Sequence, residues 1–355
     1  MSGADGVEFF AGEQLVLCND ERLQLRAVIA IDDTTLGPGL GGVRCVSYPS
    51  ERAAITEARR LAAAMTLKNA SAQLPYGGAK SVIIAPPSWA DRAAAMRRFG
   101  EFVMRAGGAY LPGVDMGTTT GDLAVIGEAG AEVSCSDEDP SPWTALGVAA
   151  AVRAAVAHVD GREDLDGVRV LIQGAGHVGA ALAADLAADG ARIAVADVDG
   201  ERAAAVAAAV GGSTVAPADV IGVQCDVFAP CAVARVVDAK TLPALRCRMI
   251  VPASNDTLSA TGDAERLAAR GITYVPDFIA NAGGVIHIHA LRAGHDHERL
   301  RADIARIGGR VRELLDEADR THETPLTVAA LRVKRMLAGQ RQGTDARYDR
   351  EVLHT

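Results

Sequence analysis

The sequence predicts an α/β protein of two domains, and three observations carry that expectation. Its 355 residues exceed what one ordinary domain holds. Strand-like apolar runs alternate with helical periodicity in both halves. Residues 166–197 carry a strand, a G-x-G-x-x-G turn, a helix and a second strand that ends in an acid. Apolar residues at 49% and charged residues at 23% supply a large core under an ordinary polar surface.

In the first half, Gln14–Cys18 and Leu25–Ile31 read as strands around a polar turn at 19–22. Gly37-Pro38-Gly39-Leu40-Gly41-Gly42 follows, and its glycine density predicts irregular backbone able to wrap a small ligand, or else a plain surface turn. Glu51–Thr66 has a helical Ala/Leu face, with Lys68 placed beyond its end. Gly77-Gly78-Ala79-Lys80 opens a strand at 81–85, Ala90–Ala106 is an amphipathic helix, and Asp115 sits in a Gly/Pro-bounded loop after Tyr110–Val114.

Lysine usage singles out two of these positions. The chain has four lysines (68, 80, 240, 334), so 36 − 4 = 32 of its basic residues are arginine. Lys68 and Lys80 fall in one apolar, glycine-flanked stretch. A guanidinium stays protonated, whereas a desolvated ammonium can drop its pKa and act as a general base. A solvated surface lysine and a turn aspartate are the plain alternatives; the case for chemistry is the joint presence of two lysines and Asp115 beside close-approach backbone.

In the second half, 140–158 reads as a long helix entered through Ser141-Pro142-Trp143-Thr144. Val168–Gln173 is a strand, Gly174-Ala175-Gly176-His177-Val178-Gly179 is the glycine turn, 177–189 a helix, and Arg192–Ala196 a strand closed by Asp197. This order fits a dinucleotide-binding unit: the glycines admit the pyrophosphate at a helix N-terminus, and Asp197 hydrogen-bonds a ribose and repels a 2′-phosphate, which favours NAD over NADP. Further strand signals at 226–228, 249–251 and 273–275 end in the loops Ala229-Pro230-Cys231, Ala253-Ser254-Asn255-Asp256 and Pro276-Asp277-Phe278. In an open parallel sheet such loops face the ligand. Helices are predicted at 299–318 and 327–339, with a polar tail to Thr355 that frays.

Several classes are excluded. A net charge of −9 without a basic run argues against nucleic acid or an acidic membrane surface. The first 14 residues lack the pattern of a signal peptide, and no apolar run reads as long enough to span a bilayer. Six scattered cysteines (18, 45, 135, 225, 231, 247) read as free thiols in a reducing cytoplasm. His287, His289, His295 and His297 lack zinc spacing and read as polar decoration, so no metal is expected.

Eight motifs in order then carry a resemblance: TTLGPGLGGVR (34–44), MTLKNA (65–70), GGAKSVII (77–84), VDMGTTTGDL (114–123), SPWTALGV (141–148), GAGHVG (174–179), CDVFAPCA (225–232) and PDFIANAGGVI (276–286). From about Gln14 to Gly339 the chain resembles the glutamate/leucine/phenylalanine/valine dehydrogenase family, most of all its leucine dehydrogenase branch. The resemblance implies a substrate and oligomerisation domain at 1–138 completed by a C-terminal helix at 326–355, a Rossmann NAD-binding domain at 139–325, an active site in the cleft between them, and a homo-oligomer. It implies reversible NAD-dependent oxidative deamination of an apolar L-amino acid to its 2-oxo acid and ammonia. Lys80 would activate water, Asp115 relay protons, and Lys68 bind the substrate carboxylate with Asn255. The backbone at Gly41 and Gly42 would hold the amino group, and Leu40, Gly113, Val285 and Ile288 would line the side-chain pocket. Thr144, His177, Val178, Asn255 and the 229–231 loop would join the glycine turn and Asp197 on the cofactor.

Leu40 stands where the family's glutamate enzymes place a lysine, and an unpaired buried carboxylate is costly, so glutamate is not the expected substrate. Gly113 leaves room for an aromatic ring, whereas Val285 is of the leucine type. The chain departs from the family at Pro252 and Asp256, in the short segment 132–140, and at His287-Ile288-His289. Those departures keep two alternatives open: a catalytically diverged NAD-binding protein of the same fold, or an oxidoreductase acting on a related imine.

Overall fold

A computed structural model describes residues 12–134 and 138–352, with side chains to 342. The chain divides into two compact units, one running to Asp137 and resuming at Arg335, the other Glu138–Lys334.

The first unit contains β1 (Gln14–Asp20), β2 (Leu25–Asp33), β3 (Gly39–Val46), α1 (Glu51–Ser71), β4 (Gly77–Ile84), α2 (Arg92–Arg105), β5 (Tyr110–Val114) and α3 (Thr120–Glu128). Its sheet has the order β1-β2-β4-β3-β5, with β1 and β2 antiparallel to their neighbours and β4, β3 and β5 parallel. Both faces of β2 are buried, as its unbroken apolar run requires. Ala27, Ile29 and Ile31 join Met96, Phe99, Leu123 and Ile126 of α2 and α3. Val28 and Ala30 meet Ala54, Ala58 and Ala62, an i, i+4 row of methyl groups that lets α1 lie close to the sheet. Ser50, Asp91 and Thr119 cap the three helices by accepting from N–H groups of the first turn.

Three expectations change here. Gly39 to Gly42 lie inside β3 and are not irregular: a Cβ on Gly39 would stand 2.6 Å from the Ala79 Cβ, and one on Gly41 1.7 Å from the Ala79 carbonyl oxygen. The glycines are a strand's answer to crowding. Helix α1 continues to Ser71, so Lys68 occupies its last turn; the Asn69 amide donates to the Gly77 carbonyl at 2.6 Å and fastens that turn to β4. Strand β4 begins at Gly77, which places Lys80 inside it.

The second unit contains α4 (Ser141–Asp160), β6 (Arg169–Gln173), α5 (His177–Ala188), β7 (Arg192–Ala196), α6 (Gly200–Ala209), β8 (Ser213–Thr214), β9 (Val227–Pro230), β10 (Met249–Ile250), α7 (Asp263–Ala268), β11 (Thr273–Tyr274), α8 (Asp277–Ala280), α9 (Gly283–Ala293) and α10 (His297–Thr321); α11 (Pro325–Val352) starts here and ends in the first unit. The sheet is parallel with the order β11-β10-β9-β6-β7-β8. Read from the other edge this is the 3-2-1-4-5-6 order of a Rossmann sheet, whose direction switches between β6 and β9.

Helix α4 is, by length and composition alone, apolar enough to cross a membrane, a test that the core helix of a folded unit also passes. Its Gly147, Val148, Ala151, Val152 and Ala155 are buried within this unit. Gly147 admits Ile307 of α10, since a Cβ there would stand 2.8 Å from the Ile307 Cδ1. Two further expectations fail. The tail beyond residue 339 is helical to Val352, and His287 is no decoration: it is 1% exposed and stacks on Trp143 at 5.6 Å where α9 packs on α4. Cysteines 18, 45, 225, 231 and 247 are free thiols; Cys135 lies outside the described residues.

Candidate active site

In the first unit, three parallel strands bring the chemistry together. Lys80 points from β4 with 6% of its surface exposed, and its Nζ lies 2.5 Å from Oδ2 of Asp115, the residue that follows β5. Gly42 of β3 sits between them: a Cβ there would stand 2.6 Å from the Asp115 Cβ and 3.1 Å from the Lys80 Nζ. The Asp115 turn is pinned to β3. The Asp115 N–H meets the Thr118 hydroxyl at 3.0 Å, and that hydroxyl lies 2.8 Å from the Val43 carbonyl. Gly117 takes φ +79° there, with no room for a Cβ against the Cys45 carbonyl.

Charge completes the pair. Arg44 donates from Nε to Oδ2 of Asp115 at 3.2 Å and from Nη1 to Glu57 at 2.8 Å, and Arg60 holds the other Glu57 oxygen at 2.8 Å. Burial drives the Lys80 ammonium below its usual range, against the pull of Asp115, and Arg44 adds to the lowering. Burial pushes Asp115 up, but Lys80 and Arg44 outweigh it and hold the carboxyl below its ordinary value. A lysine that can exist unprotonated beside a fixed carboxylate is equipped for proton transfer.

Of the remaining residues named from the sequence, Lys68 is half-buried in the last turn of α1 and Leu40 is 2% exposed in β3. The Tyr110 hydroxyl donates to the Gly41 carbonyl at 3.1 Å and lies 2.7 Å from the Ser81 hydroxyl. Gly113 does not open onto free space. Its Cβ position would lie 3.1 Å from the Ser134 carbonyl oxygen, because residue 134 pairs with β5 through a bridge.

In the second unit, the turn after β6 is shaped by its glycines. Gly174 adopts φ +110°, where a Cβ would stand 2.6 Å from Ala232, and a Cβ on Gly179 would stand 1.9 Å from the Gly174 carbonyl oxygen. Gly176 faces open space, the side from which a pyrophosphate approaches the N-terminus of α5. Asp197 accepts from the Ala175 N–H at 2.7 Å, the Asp199 N–H at 2.9 Å and Arg202 at 3.0 Å. A cavity of about 310 Å³ is bounded by Gly174, Gly176, Asp197, Arg202, Val220 and Cys231. Val178 lies in the first turn of α5, and exposed His177 pairs with Asp139 at 2.8 Å.

The loops at the carboxyl ends of the strands interlock. The carbonyl of Pro230, which follows Ala229 in β9, accepts from the Ala253 and Ser254 N–H groups at 2.9 Å, and Asn281 donates to Asn255 at 2.9 Å. Asp256 takes φ +59°, and the negative charge that departs from the family pattern is met by Arg235 at 3.1 Å. Thr144 lies in the first turn of α4, packed against Gly284, whose Cβ would stand 3.0 Å from its hydroxyl; Val285 and Ile288 are half-buried on α9. Gln173 Oε1, Ser254 Oγ and Asn281 Oδ1 are buried at this sheet edge without a protein partner. Such atoms, beside an open glycine turn and a carboxylate at the end of β7, fit a dinucleotide.

Comparison with known proteins decides the family. Residues 14–130 match the dimerisation domain of the Glu/Leu/Phe/Val dehydrogenases, and residues 138–205 and 195–317 match the Glutamate/Leucine/Phenylalanine/Valine dehydrogenase domain. The chain belongs to this family. Leucine dehydrogenase from Bacillus cereus is 38% identical over 320 residues, 88% of this chain and 87% of that one. Phenylalanine dehydrogenase from Bacillus thermotolerans is 36% identical over 320 residues, 86% and 83% of the two chains. The crystal structure of L-tryptophan dehydrogenase from Nostoc punctiforme superimposes with a TM-score of 0.83 at 32% identity, covering 94% and 98%.

The protein is thus an amino acid dehydrogenase, and its Rossmann sheet is the seat of a nicotinamide cofactor. Residue types alone pointed to Lys80, Asp115 and the glycine turn of this dehydrogenase. They did not point to Arg44, Glu57 or Tyr110. Arg44 is one of thirty-two arginines (36 basic residues less four lysines), and only the strand register sets it beside Asp115.

Proposed function

We propose that the dehydrogenase catalyses NAD-dependent, reversible oxidative deamination of an apolar L-amino acid, giving the 2-oxo acid, ammonia and NADH. The observation that carries this reading is the buried Lys80 ammonium 2.5 Å from Asp115, a contact that the absent side chain of Gly42 leaves unobstructed. Lys68 binds the substrate carboxylate, assisted by Asn255. Asp115 takes a proton from the substrate amine. NAD, held by the glycine turn and Asp197, would supply the hydride acceptor for the substrate Cα, which becomes an iminium carbon. Unprotonated Lys80 then removes a proton from water as its oxygen attacks that carbon; Asp115 returns its proton to the amino nitrogen, and the C–N bond breaks as the carbinol hydroxyl becomes the 2-oxo group, its proton leaving with the ammonia as ammonium.

An apolar side chain is supported by Leu40, which offers no cation to a distal carboxylate and is itself buried, and by the leucine, phenylalanine and tryptophan dehydrogenases among the relatives. NAD is supported by Asp197, whose carboxylate suits a 2′-hydroxyl and opposes a 2′-phosphate. A homo-oligomer is supported by the dimerisation-domain match, and a cytoplasmic setting by thiols that remain free. The test is NADH consumption with ammonia across 4-methyl-2-oxopentanoate, 3-methyl-2-oxobutanoate, phenylpyruvate, indolepyruvate and 2-oxoglutarate. Turnover of the apolar acids without 2-oxoglutarate is expected; silence on all five with NADH still bound would overturn the reading.

A further inference from the structure

The Lys80–Asp115 pair does not stand alone. Asp115 Oδ2 receives two cations, Lys80 at 2.5 Å from β4 and Arg44 at 3.2 Å from β3. Arg44 is 18% exposed along its side chain and is fixed at its far end by Glu57 of α1, 2.8 Å away, which Arg60 of the same helix clamps in turn. Tyr48, after β3, is the other titratable neighbour; burial, with Glu57 adding, holds its phenol above the usual range.

We propose that Arg44 is a positioning residue for the reaction: bridged between Glu57 and Asp115, it fixes the Asp115 carboxylate and helps keep the mobile proton of the site off Lys80. The proposal rests on the roles given above to Lys80 and Asp115. A guanidinium does not surrender its proton, so Arg44 is a permanent positive charge on the same oxygen that Lys80 touches. That charge favours Asp115 as carboxylate and disfavours Lys80 as ammonium, which is the state needed to take a proton from water. Lysine at position 44 would keep the charge, but an ammonium lacks the planar fork that reaches Glu57 and Asp115 together.

The sign of the pH effect follows. Removing Arg44 raises the Lys80 pKa, so the acid limb of the pH–kcat profile for amino acid oxidation moves to higher pH. In R44M, with NADH binding kept as the control on folding, we expect kcat to fall about 100-fold from loss of alignment. The acid limb should move up by about one pH unit for the lost charge. R44K should hold the limb in place while kcat falls about 10-fold, since charge is kept and the bridge is lost. Added guanidinium should recover part of the activity of R44A, which a strut serving only stability would not show. An R44M or R44K profile matching the wild type in height and position would overturn the proposal, as would an R44K limb shifted as far as that of R44M. Full turnover in K80A would instead remove the reading on which it rests, whatever the Arg44 variants do.

Discussion

The candidate catalytic group of the first unit and the candidate cofactor group of the second are built from different materials. In the first unit the chemistry is made by side chains buried inside a sheet, and glycines at 41, 42, 77 and 78 are there because a neighbour already fills the place a Cβ would take. In the second unit it is made by backbone and loops at the edge of a sheet, and the glycine at 176 faces nothing. The first arrangement holds charged groups in direct contact but tolerates no added atoms. The second leaves room for a ligand to complete it. Substitutions should therefore divide by unit, those in the first reaching catalysis and stability together, those in the second reaching cofactor affinity.

The largest contrast is expected from Lys80. K80A should lower turnover by about a thousandfold or more, within the range of a lost general base, while NADH binding by fluorescence titration stays as in the wild type. Ordinary activity in K80A would end the distinction between the two groups. Glycine pairs sharpen it. G42A drives a methyl into Asp115 and the Val114 carbonyl, at 2.6 and 2.9 Å. It should cost about 1–3 kcal/mol in thermal or denaturant unfolding and most of kcat. G176A meets no atom within 4 Å, so unfolding should move by less than about 0.5 kcal/mol. Its methyl enters the space proposed for the pyrophosphate, and the KM for NAD should rise with kcat little changed.

The same contrast explains what could be read from the chain. The strand–glycine turn–helix–strand–acid run is local, so its elements, its order and Asp197 were legible from spacing alone. Lys80 and Asp115 were legible as residue types in unusual company. What escaped was tertiary. Gly39 to Gly42 read as loop because glycine density ordinarily means turn; nothing local reveals that Ala79 and Asp115 press on a strand from both sides. Lys68 read as lying past a helix end because the Ala/Leu face stops, whereas the extra turn is held by the Asn69 bonds to β3 and β4. Gly113 read as room for a ring, and the Ser134 carbonyl beside it comes from twenty-one residues on. His287 lacked any signal that the Trp143 ring would cover it.

Within the second unit, Asp197 should have the next effect. Its oxygens hold the Ala175 N–H of the glycine turn, and Arg202 lies on the same carboxylate. D197A removes the proposed ribose acceptor and the repulsion of a 2′-phosphate, and leaves Arg202 with the longer Asp199 contact at 3.7 Å as its remaining acidic partner. The ratio of kcat/KM for NAD over NADP should fall about 10–100-fold, the worth of a charged hydrogen bond. An unchanged ratio would place cofactor choice elsewhere in the cavity.

The smallest effect is expected where the sequence departs from its family. Asp256 carries a charge in place of an amide, yet the structure shows it matched to Arg235, whose side chain is 56% exposed. A pair that open to water contributes about 0–1 kcal/mol. Asp256 also sits at φ +59°, a conformation that Asp and Asn tolerate better than other side chains. D256N should therefore leave the melting temperature and NAD affinity nearly unchanged, whereas D256A, which loses the local polar support of that backbone, should be measurably less stable. If D256N and D256A instead weaken NAD binding alike, the charge that both remove is part of the cofactor site. The departure would then be a retuning of that site and not a local exchange of one surface pair for another.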